Sequence, residues 1–252
     1  MMSFRVHRSL IAALALAAAS ITDAAAQAAR PTRPPFGAGE LASYQVKLGA
    51  VSVGSGSLEV VGMETVDGHS TYHTRMRVSG GVPLARVDDR YESWIDADGL
   101  FSRRFLQNLR EVNYRRNRTY SFDPARKTFR RENGETGTIA SDEPLDDLSF
   151  LYFARTLPLK VGDEYTLHRY FKASGNPVVI RVLRRETVQV PAGRFNTVVV
   201  QPLIKTDGLF GEGGRAEVYL SDDDRRIPVL IKSRVRLVGS LTMSLRSYQP
   251  GS

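Results

Sequence analysis

Cysteine is absent from the 252 residues, and this absence excludes two features. No disulfide bond can support the fold, so the packing of the core must stabilise it alone. A lipoprotein anchor is also excluded, because its acyl chains are attached to a cysteine. Long apolar segments are scarce as well. After the N-terminal region no run of about 18 apolar residues occurs, so we expect no transmembrane segment in the mature chain.

The N-terminal region has the composition of an export signal. "MMSFRVHR" carries two arginines, "SLIAALALAAASI" is a short apolar stretch, and small residues follow it. This order is typical of a secretory signal peptide. We therefore predict a signal peptide at 1–26, with cleavage after Ala26 or Ala28, and a periplasmic location. The Pro- and Gly-rich residues 27–40 predict an extended linker, and a single domain is expected over 41–250.

Most of the remaining chain alternates apolar and polar residues in the manner of β-strands. "SYQVKLG", for example, puts Tyr44, Val46 and Leu48 on one face. The connections are turns, too short for helical crossovers, so the strands must pair mostly antiparallel. Many consecutive antiparallel strands curl into a closed or partly closed structure. The sequence therefore predicts a mainly β protein with a single antiparallel curved sheet that forms a barrel or half-barrel.

One segment departs from this pattern. Residues 144–158 read "PLDDLSFLYFARTLP" and have helical periodicity, with apolar residues on both faces. Such a helix is normally buried, so we predict a buried apolar helix near 146–156. Asp146 or Asp147 can cap its start, and Pro158 follows its end. The helix can be part of a filled core, or it can be a lid over an apolar cavity in the concave side of the sheet.

No catalytic motif occurs in the chain. The Gly-x-Ser-x-Gly elbow of a serine hydrolase is missing, so we expect no enzymatic activity and assign no catalytic residue. His69 and His73 are four apart, which on a strand separates them by about 13 Å, so we predict neither a metal site nor a cofactor. Glu92, Asp96 and Asp98 are interpreted as solvated strand and turn residues rather than a catalytic carboxylate pair.

The chain is basic, with 35 Lys and Arg against 27 Asp and Glu. Ten Lys and Arg residues lie between Arg103 and Arg131, and "VNYRRNRTYSF" carries three of them. If this segment is a straight strand, one face carries Tyr114, Arg116, Arg118, Tyr120 and Phe122. Guanidinium groups among aromatic rings suit an anionic head group, although a solvated outer face or a charged edge strand is the alternative. Nucleic acid is not an expected partner, because the protein is predicted to be exported and no RNA-binding signature occurs.

Several phrases together carry a family resemblance: "YQVKLGAVSVGSGSLEV", "YESWID", "YSFDPARKTF", "DDLSFLYFARTLPLKVGDEY", "VQVPAGRFNTVVVQP" and "VYLSDDDRRIPVLIKSRVRLVGSL". With these phrases the chain resembles the DUF3108 family of exported bacterial proteins over residues 41–248. The resemblance implies export and a β fold, and it implies no reaction. The expected architecture is also similar to the periplasmic half-barrels LolA and LolB, although this likeness rests on no motif.

Two hypotheses follow for the function of this exported envelope protein. In the first, the protein is not an enzyme and binds a lipophilic or amphiphilic ligand, such as a lipid or another anionic amphiphile, in the concavity of a half-barrel. Phe150, Tyr152 and Phe153 are then the candidate apolar contacts, and Arg116 and Arg118 the candidate head-group contacts. In the alternative, it is a structural or interaction protein of the cell envelope, with a filled core, no ligand and a protein partner.

Overall fold

The structure is a computed structural model, and it describes residues 33–82, 85–111, 114–204, 216–235 and 239–252. The predicted signal peptide and both of its cleavage positions lie outside these residues. Within them the chain forms fourteen β-strands, one α-helix and one short 3₁₀ helix.

The strands are β1 (Leu41–Leu48), β2 (Val51–Val66), β3 (His69–Val82), β4 (Ala85–Asp96), β5 (Ser102–Glu111), β6 (Tyr114–Asp123), β7 (Thr128–Arg131), β8 (Thr136–Thr138), β9 (Glu164–Leu167), β10 (Val178–Val190), β11 (Gly193–Leu203), β12 (Glu217–Ser221), β13 (Pro228–Val235) and β14 (Gly239–Gln249). The helix α1 (Asp147–Ala154) lies between β8 and β9, and the 3₁₀ helix Ala173–Gly175 precedes β10.

The fourteen strands form one antiparallel sheet in the order β8-β7-β6-β5-β4-β3-β2-β1-β14-β13-β12-β11-β10-β9. Almost every neighbouring pair is consecutive in the chain, as short turns require. The exception is β1, which pairs with both β2 and β14 and so places the first and last strands together in the middle. The sheet is not closed into a barrel. The predicted single antiparallel sheet with one helix is therefore confirmed. Of the two predicted forms, a barrel and a half-barrel, the sheet has the open one.

The connection between the two edge strands carries the helix and links the two ends of the sheet. The backbone N–H of Ala140 donates to the carbonyl of Phe171 over 3.2 Å, and Leu145 forms a parallel bridge with Tyr170. Register shifts within several strand pairs, for example between Val60 and Gly62, mark β-bulges, which bend strands and increase their twist. The sheet thus acquires a concave face, and α1 packs against it.

All eight residues of α1 are buried, as its lack of a polar face predicts. Asp146 is the N-cap: its carboxylate accepts from the backbone N–H groups of Leu148 and Ser149, each over 2.8 Å. In return, the hydroxyl of Ser149 accepts from the N–H of Asp146, which completes a capping box. The helix ends at Ala154, with Arg155 as its C-cap.

A buried ion pair fixes the C-terminal end of the helix. The guanidinium of Arg155 lies 2.6 and 2.9 Å from the two carboxylate oxygens of Glu40, and both side chains are buried. Arg155 also donates to the carbonyls of Pro35 and Arg225. Burial disfavours the charged guanidinium, but the hydrogen bonds and charge of Glu40 outweigh burial, so the pKa of Arg155 is raised. One side chain therefore joins the helix, the segment before β1 and the β12–β13 turn.

This ion pair also bears on the predicted linker at 27–40, of which the structure describes residues 33–40. Phe36 is 6% exposed and lies in the core, with its ring edge against Tyr152 at 4.9 Å. Glu40 is 3% exposed, and the N–H of Ser252 donates to the carbonyl of Ala38. This part of the predicted linker is packed against the domain rather than free, because an aromatic ring and the partner of Arg155 anchor it.

We expect Glu40→Gln to lower the free energy of unfolding by about 3–5 kcal/mol, because it leaves the buried guanidinium of Arg155 without a counter-charge. Equilibrium unfolding in urea measures this change. In a matched control, Glu164→Gln removes the partner of Arg181 in an exposed ion pair and should cost at most about 1 kcal/mol. The double variant Glu40→Leu with Arg155→Met should recover most of the loss. Equal effects of the two single variants would contradict a special role for the buried pair.

Candidate functional site

The two arginines predicted to contact a head group lie on the concave face of the sheet. The β5–β6 pairing has no register shift, with Arg116 opposite Leu109 and Arg118 opposite Gln107. Further along β6 the same face carries the buried ring of Tyr120. Strand β6 therefore has no bulge opposite β5, so Arg116, Arg118 and Tyr120 share one face, as predicted. Both arginines are only partly buried, so they form the rim of the face that holds the core.

The N-terminal end of α1 reaches this rim. Asp147 is buried and accepts hydrogen bonds from the hydroxyl of Tyr170 over 2.9 Å and the amide of Gln107 over 3.2 Å. Burial raises the pKa of Asp147, while these hydrogen bonds and the positive charges of Lys172 and Arg116 lower it. Arg116 is therefore close enough to act on the first residue of the helix. We call Gln107, Arg116, Arg118, Asp147 and Lys172 the basic rim.

Arg116 and Arg118 retain unused hydrogen-bonding capacity. Among the residues that the structure describes, neither lies within ion-pair distance of a carboxylate; the guanidinium of Arg116 stacks over the ring of Tyr114 at 5.0 Å. Arg116 also lines a groove of about 370 Å³ at the end of the β5–β6 hairpin, with Asn108, Leu109, Arg110, Arg115 and Asn117. Exposed guanidinium groups of this kind can form paired hydrogen bonds with phosphate or carboxylate oxygens.

The three predicted apolar contacts lie inside the core. Phe150, Tyr152 and Phe153 are 2%, 1% and 2% exposed. The hydroxyl of Tyr152 donates to the carbonyl of Glu59 over 3.1 Å, and the guanidinium of Arg169 lies 4.5 Å from the ring centre of Phe153. None of the three lines the grooves of about 630, 490 and 370 Å³ on the described part of the surface. Asp147 at the start of the helix connects it to the basic rim.

A second buried carboxyl group stands beside Asp147. The carboxylate of Asp146 accepts from the hydroxyls of Ser93 and Ser102 as well as from the helix N–H groups. Burial raises the pKa of Asp146 to about 6, and the four hydrogen bonds limit this rise. The helix start therefore depends on polar contacts with β4 and β5, not only on apolar packing.

A cluster that the sequence analysis missed lies on the opposite, outer face. The ring nitrogens of His73 lie 2.8 Å from a carboxylate oxygen of Glu64 and 2.5 Å from one of Glu92. The ring stacks on Trp94 at 4.4 Å, and the Trp94 indole N–H donates to Glu64. The Asp-Gly turn after Glu64 could have indicated that it lies across from β3. Nothing in the sequence indicated that Glu92 reaches His73 from β4.

The expectation that Glu92 and Asp96 are solvated is wrong. They are 6% and 5% exposed, because arginines and His73 cover them. Glu92 lies 3.1 Å from Arg90, and Asp96 lies 2.8 Å from Arg103. Both nitrogens of His73 are occupied by carboxylates, so this cluster joins β2, β3 and β4. Within the described ranges no group of three histidine, cysteine or acidic side chains could hold a metal ion.

Comparison with known proteins identifies the family. The model of DUF3108, a family of proteins of unknown function, matches residues 43–246, so the chain belongs to this family. No curated protein matches it. Among solved structures, a β-barrel-like protein of the domain of unknown function DUF1849 from Brucella abortus has a TM-score of 0.52 and 11% sequence identity, over 86% of this chain and 99% of that one. This similarity supports the fold.

Two further structures are more distant. A candidate lipoprotein from Parabacteroides distasonis has a TM-score of 0.37 and 10% identity, over 87% of this chain and 100% of that one. A candidate exported protein with a YmcC-like fold from Bacteroides fragilis has a TM-score of 0.31 and 12% identity, over 86% and 98% of the two chains. Separately, no helix in the described part of this chain is long and apolar enough to span a membrane.

The His73 cluster predicts a specific pH dependence. Burial disfavours the imidazolium, but hydrogen bonds and charges of Glu92 and Glu64 outweigh it, so the pKa of His73 is raised from 6.5. A raised histidine pKa contributes stability that is complete below the unfolded pKa and is lost as the pH rises through the folded one. The difference in unfolding free energy between wild type and His73→Gln should therefore be larger at about pH 6 than at about pH 9.

Urea unfolding at both pH values tests this expectation. His69→Gln is the matched control, because His69 lies on the same strand and is exposed; it should leave the pH dependence unchanged. A destabilisation by His73→Gln that is the same at both pH values would mean that His73 acts by packing on Trp94 and not by its charge.

Proposed function

We propose that this protein is an exported, non-enzymatic protein of the cell envelope that binds an anionic amphiphile at the basic rim of its half-barrel. The predicted signal peptide supports export to the periplasm. The observation that carries the binding proposal is the placement of Arg116 and Arg118 on the concave face. Charged side chains there are unusual, because the same face carries the apolar core.

The head group would bind to the guanidinium groups, and the apolar part would contact the interior beside the helix. Arg116 and Arg118 offer forked donors to phosphate or carboxylate oxygens. Next to them on β6, Tyr120 begins an aromatic cluster, with Phe171 at 5.2 Å and Phe129 at 5.5 Å between ring centres. A ligand that lies along β6 would thus contact the guanidinium groups first and the aromatic cluster next.

Entry of an apolar chain into the concavity would require α1 to move. Phe150, Tyr152 and Phe153 fill the interior, and burying each such side chain is worth about 1.5–3 kcal/mol. The ligand would have to replace these contacts. Movement would also break the buried hydrogen bonds of Asp146 and Asp147 at the end of the helix nearest the rim, so the bound ligand would have to compensate for these contacts as well.

A second candidate function is a docking protein of the envelope that has a filled core and no ligand. One specific observation favours it: every residue of α1 is buried. In that case the arginines of the rim would contact acidic groups of a protein partner.

The first test is native mass spectrometry of the protein purified gently from the bacterium that encodes it, followed by incubation with excess phosphatidylglycerol. We expect a discrete additional mass that organic solvent releases. Arg116→Gln with Arg118→Gln should lower its occupancy at least tenfold, because the head group loses both charged donors. A matched control is Arg130→Gln with Arg194→Gln, which removes the same charge from two exposed positions outside the rim and should retain the ligand.

Two outcomes would contradict amphiphile binding. If wild type carries no additional mass even after incubation with lipid, the docking function is favoured. If both double variants lose the ligand equally, the attraction is a general effect of net charge and the rim is not a site.

A further inference from the structure

A polar groove crosses the outer face of the sheet over β14, β1, β2, β3 and β4. Its volume is about 630 Å³, within the range of small-molecule sites. Its lining is Ser43, Tyr44, Ser55, Gly56, Ser57, Arg77, Ser79, Asp88, Arg246 and Ser247. Because most of these residues are serine or glycine, their short side chains leave a depression in the surface. Ser43 and Ser57 alternate with the buried side chains of Tyr44 and Leu58, so the groove opens away from the helix and is separate from the basic rim.

The strand register arranges the groove residues in two rows across the sheet. In the first row Ser247, Ser43, Ser57 and Arg77 are successive cross-strand neighbours. In the second row Ser55 lies opposite Ser79, which lies opposite Asp88. Neighbouring strands are about 4.8 Å apart, so the first row is about 14 Å long from β14 to β3. An extended ligand could contact hydroxyl groups along this whole length.

The polar groups of the groove have unused capacity. In the part of the chain that the structure describes, the side chains of the five serines make no hydrogen bond, and Arg77, Arg246 and Asp88 form no ion pair. Two neighbouring arginines of the same face are paired: Arg75 lies 3.4 Å from Glu59, and Arg90 lies 3.1 Å from Glu92. The groove thus brings several unused donors and acceptors together in one place.

The charges at its two ends point to an anionic ligand. Arg77 stands directly opposite Arg90, and like charges in that position are destabilising unless a counter-charge is present. Glu92 is the counter-charge of Arg90, whereas Arg77 has no carboxylate within ion-pair distance among the described residues. Arg246 stands at the other end, beside Ser247. The single carboxylate of Asp88 leaves the groove with a net positive charge, and its hydroxyl groups suit a hydrophilic partner rather than an apolar chain.

We propose that this groove binds an anionic saccharide. The hydroxyl groups of the sugar exchange hydrogen bonds with the serines and Asp88, which can accept from them. Phosphate or carboxylate groups of the saccharide pair with Arg77 and Arg246, whose guanidinium forks match both anions. Because the two arginines lie three strands apart, the ligand that engages both is longer than a single sugar.

Isothermal titration calorimetry of the mature protein tests this site with three probes of similar size. The probes are trigalacturonic acid, which carries carboxylates; a phosphorylated maltotriose; and neutral maltotriose. We expect one or both anionic probes to bind and neutral maltotriose to bind at least tenfold more weakly. Comparison of the two anionic probes distinguishes a carboxylate ligand from a phosphate ligand. Affinity should fall as salt increases.

Arg77→Gln and Arg246→Gln should each reduce the affinity for the better anionic probe about tenfold or more. Both side chains are exposed, so neither variant should lower the unfolding temperature and loss of binding cannot be attributed to misfolding. The matched control is Arg194→Gln, an exposed arginine on β11 outside the groove. Ser57→Leu, which fills the floor of the groove, should abolish binding by occlusion.

The proposal is overturned if neither anionic probe binds. It is also overturned if neutral maltotriose binds as tightly as the anionic probes, or if Arg194→Gln weakens binding as much as Arg77→Gln. None of these results depends on the basic rim, because the rim variants and the groove variants change different faces of the sheet.

Discussion

The position of one apolar helix depends on buried charge at both of its ends. Apolar burial drives α1 into the concave face but specifies neither its rotation nor its depth, because the hydrophobic effect is not directional. Asp146 and Asp147 at one end, and Arg155 with Glu40 at the other, supply the missing specificity. A shift of the helix would leave buried charges unpaired, at a cost of several kcal/mol. The open sheet curves around the helix, whose position these contacts determine.

The strand order gives the sheet two wings that meet at the centre. Strands β1–β8 form one wing and β9–β14 the other, each built from consecutive hairpins. The β1–β14 ladder joins the wings in the middle, and the connection through α1 joins their outer edges. The two arginines of the basic rim belong to the first wing, whereas the polar groove lies over the central ladder. The two candidate sites therefore depend on different parts of the fold: the rim on helix placement, and the groove on the pairing of the first and last strands.

Periodicity allowed the faces of the strands to be predicted, but not the partners across the sheet. The alternation in β6 correctly placed Arg116 and Arg118 with Tyr120, and the apolar helix with its Asp cap was also predictable, because both signals are local. The Glu40–Arg155 pair joins residues 115 positions apart, and Glu40 lies in a segment whose composition indicates a linker. His73 and Glu92 meet only because β3 and β4 pair in one register. Such contacts depend on tertiary structure, for which a single sequence carries no local signal.

Both candidate sites rest on arginine rather than on histidine or aspartate. His73, Glu92 and Asp96 are bound to neighbouring charged groups, so they stabilise the sheet even though their residue types are those of active sites. Arg116, Arg118, Arg77 and Arg246 differ because no carboxylate lies within ion-pair distance of them among the described residues. Arginine remains charged at any physiological pH, so its unused donors bind solvent or an external anion. Many carboxylates of this protein are already paired with basic groups. An arginine without such a partner is therefore the side chain that can bind an external anion.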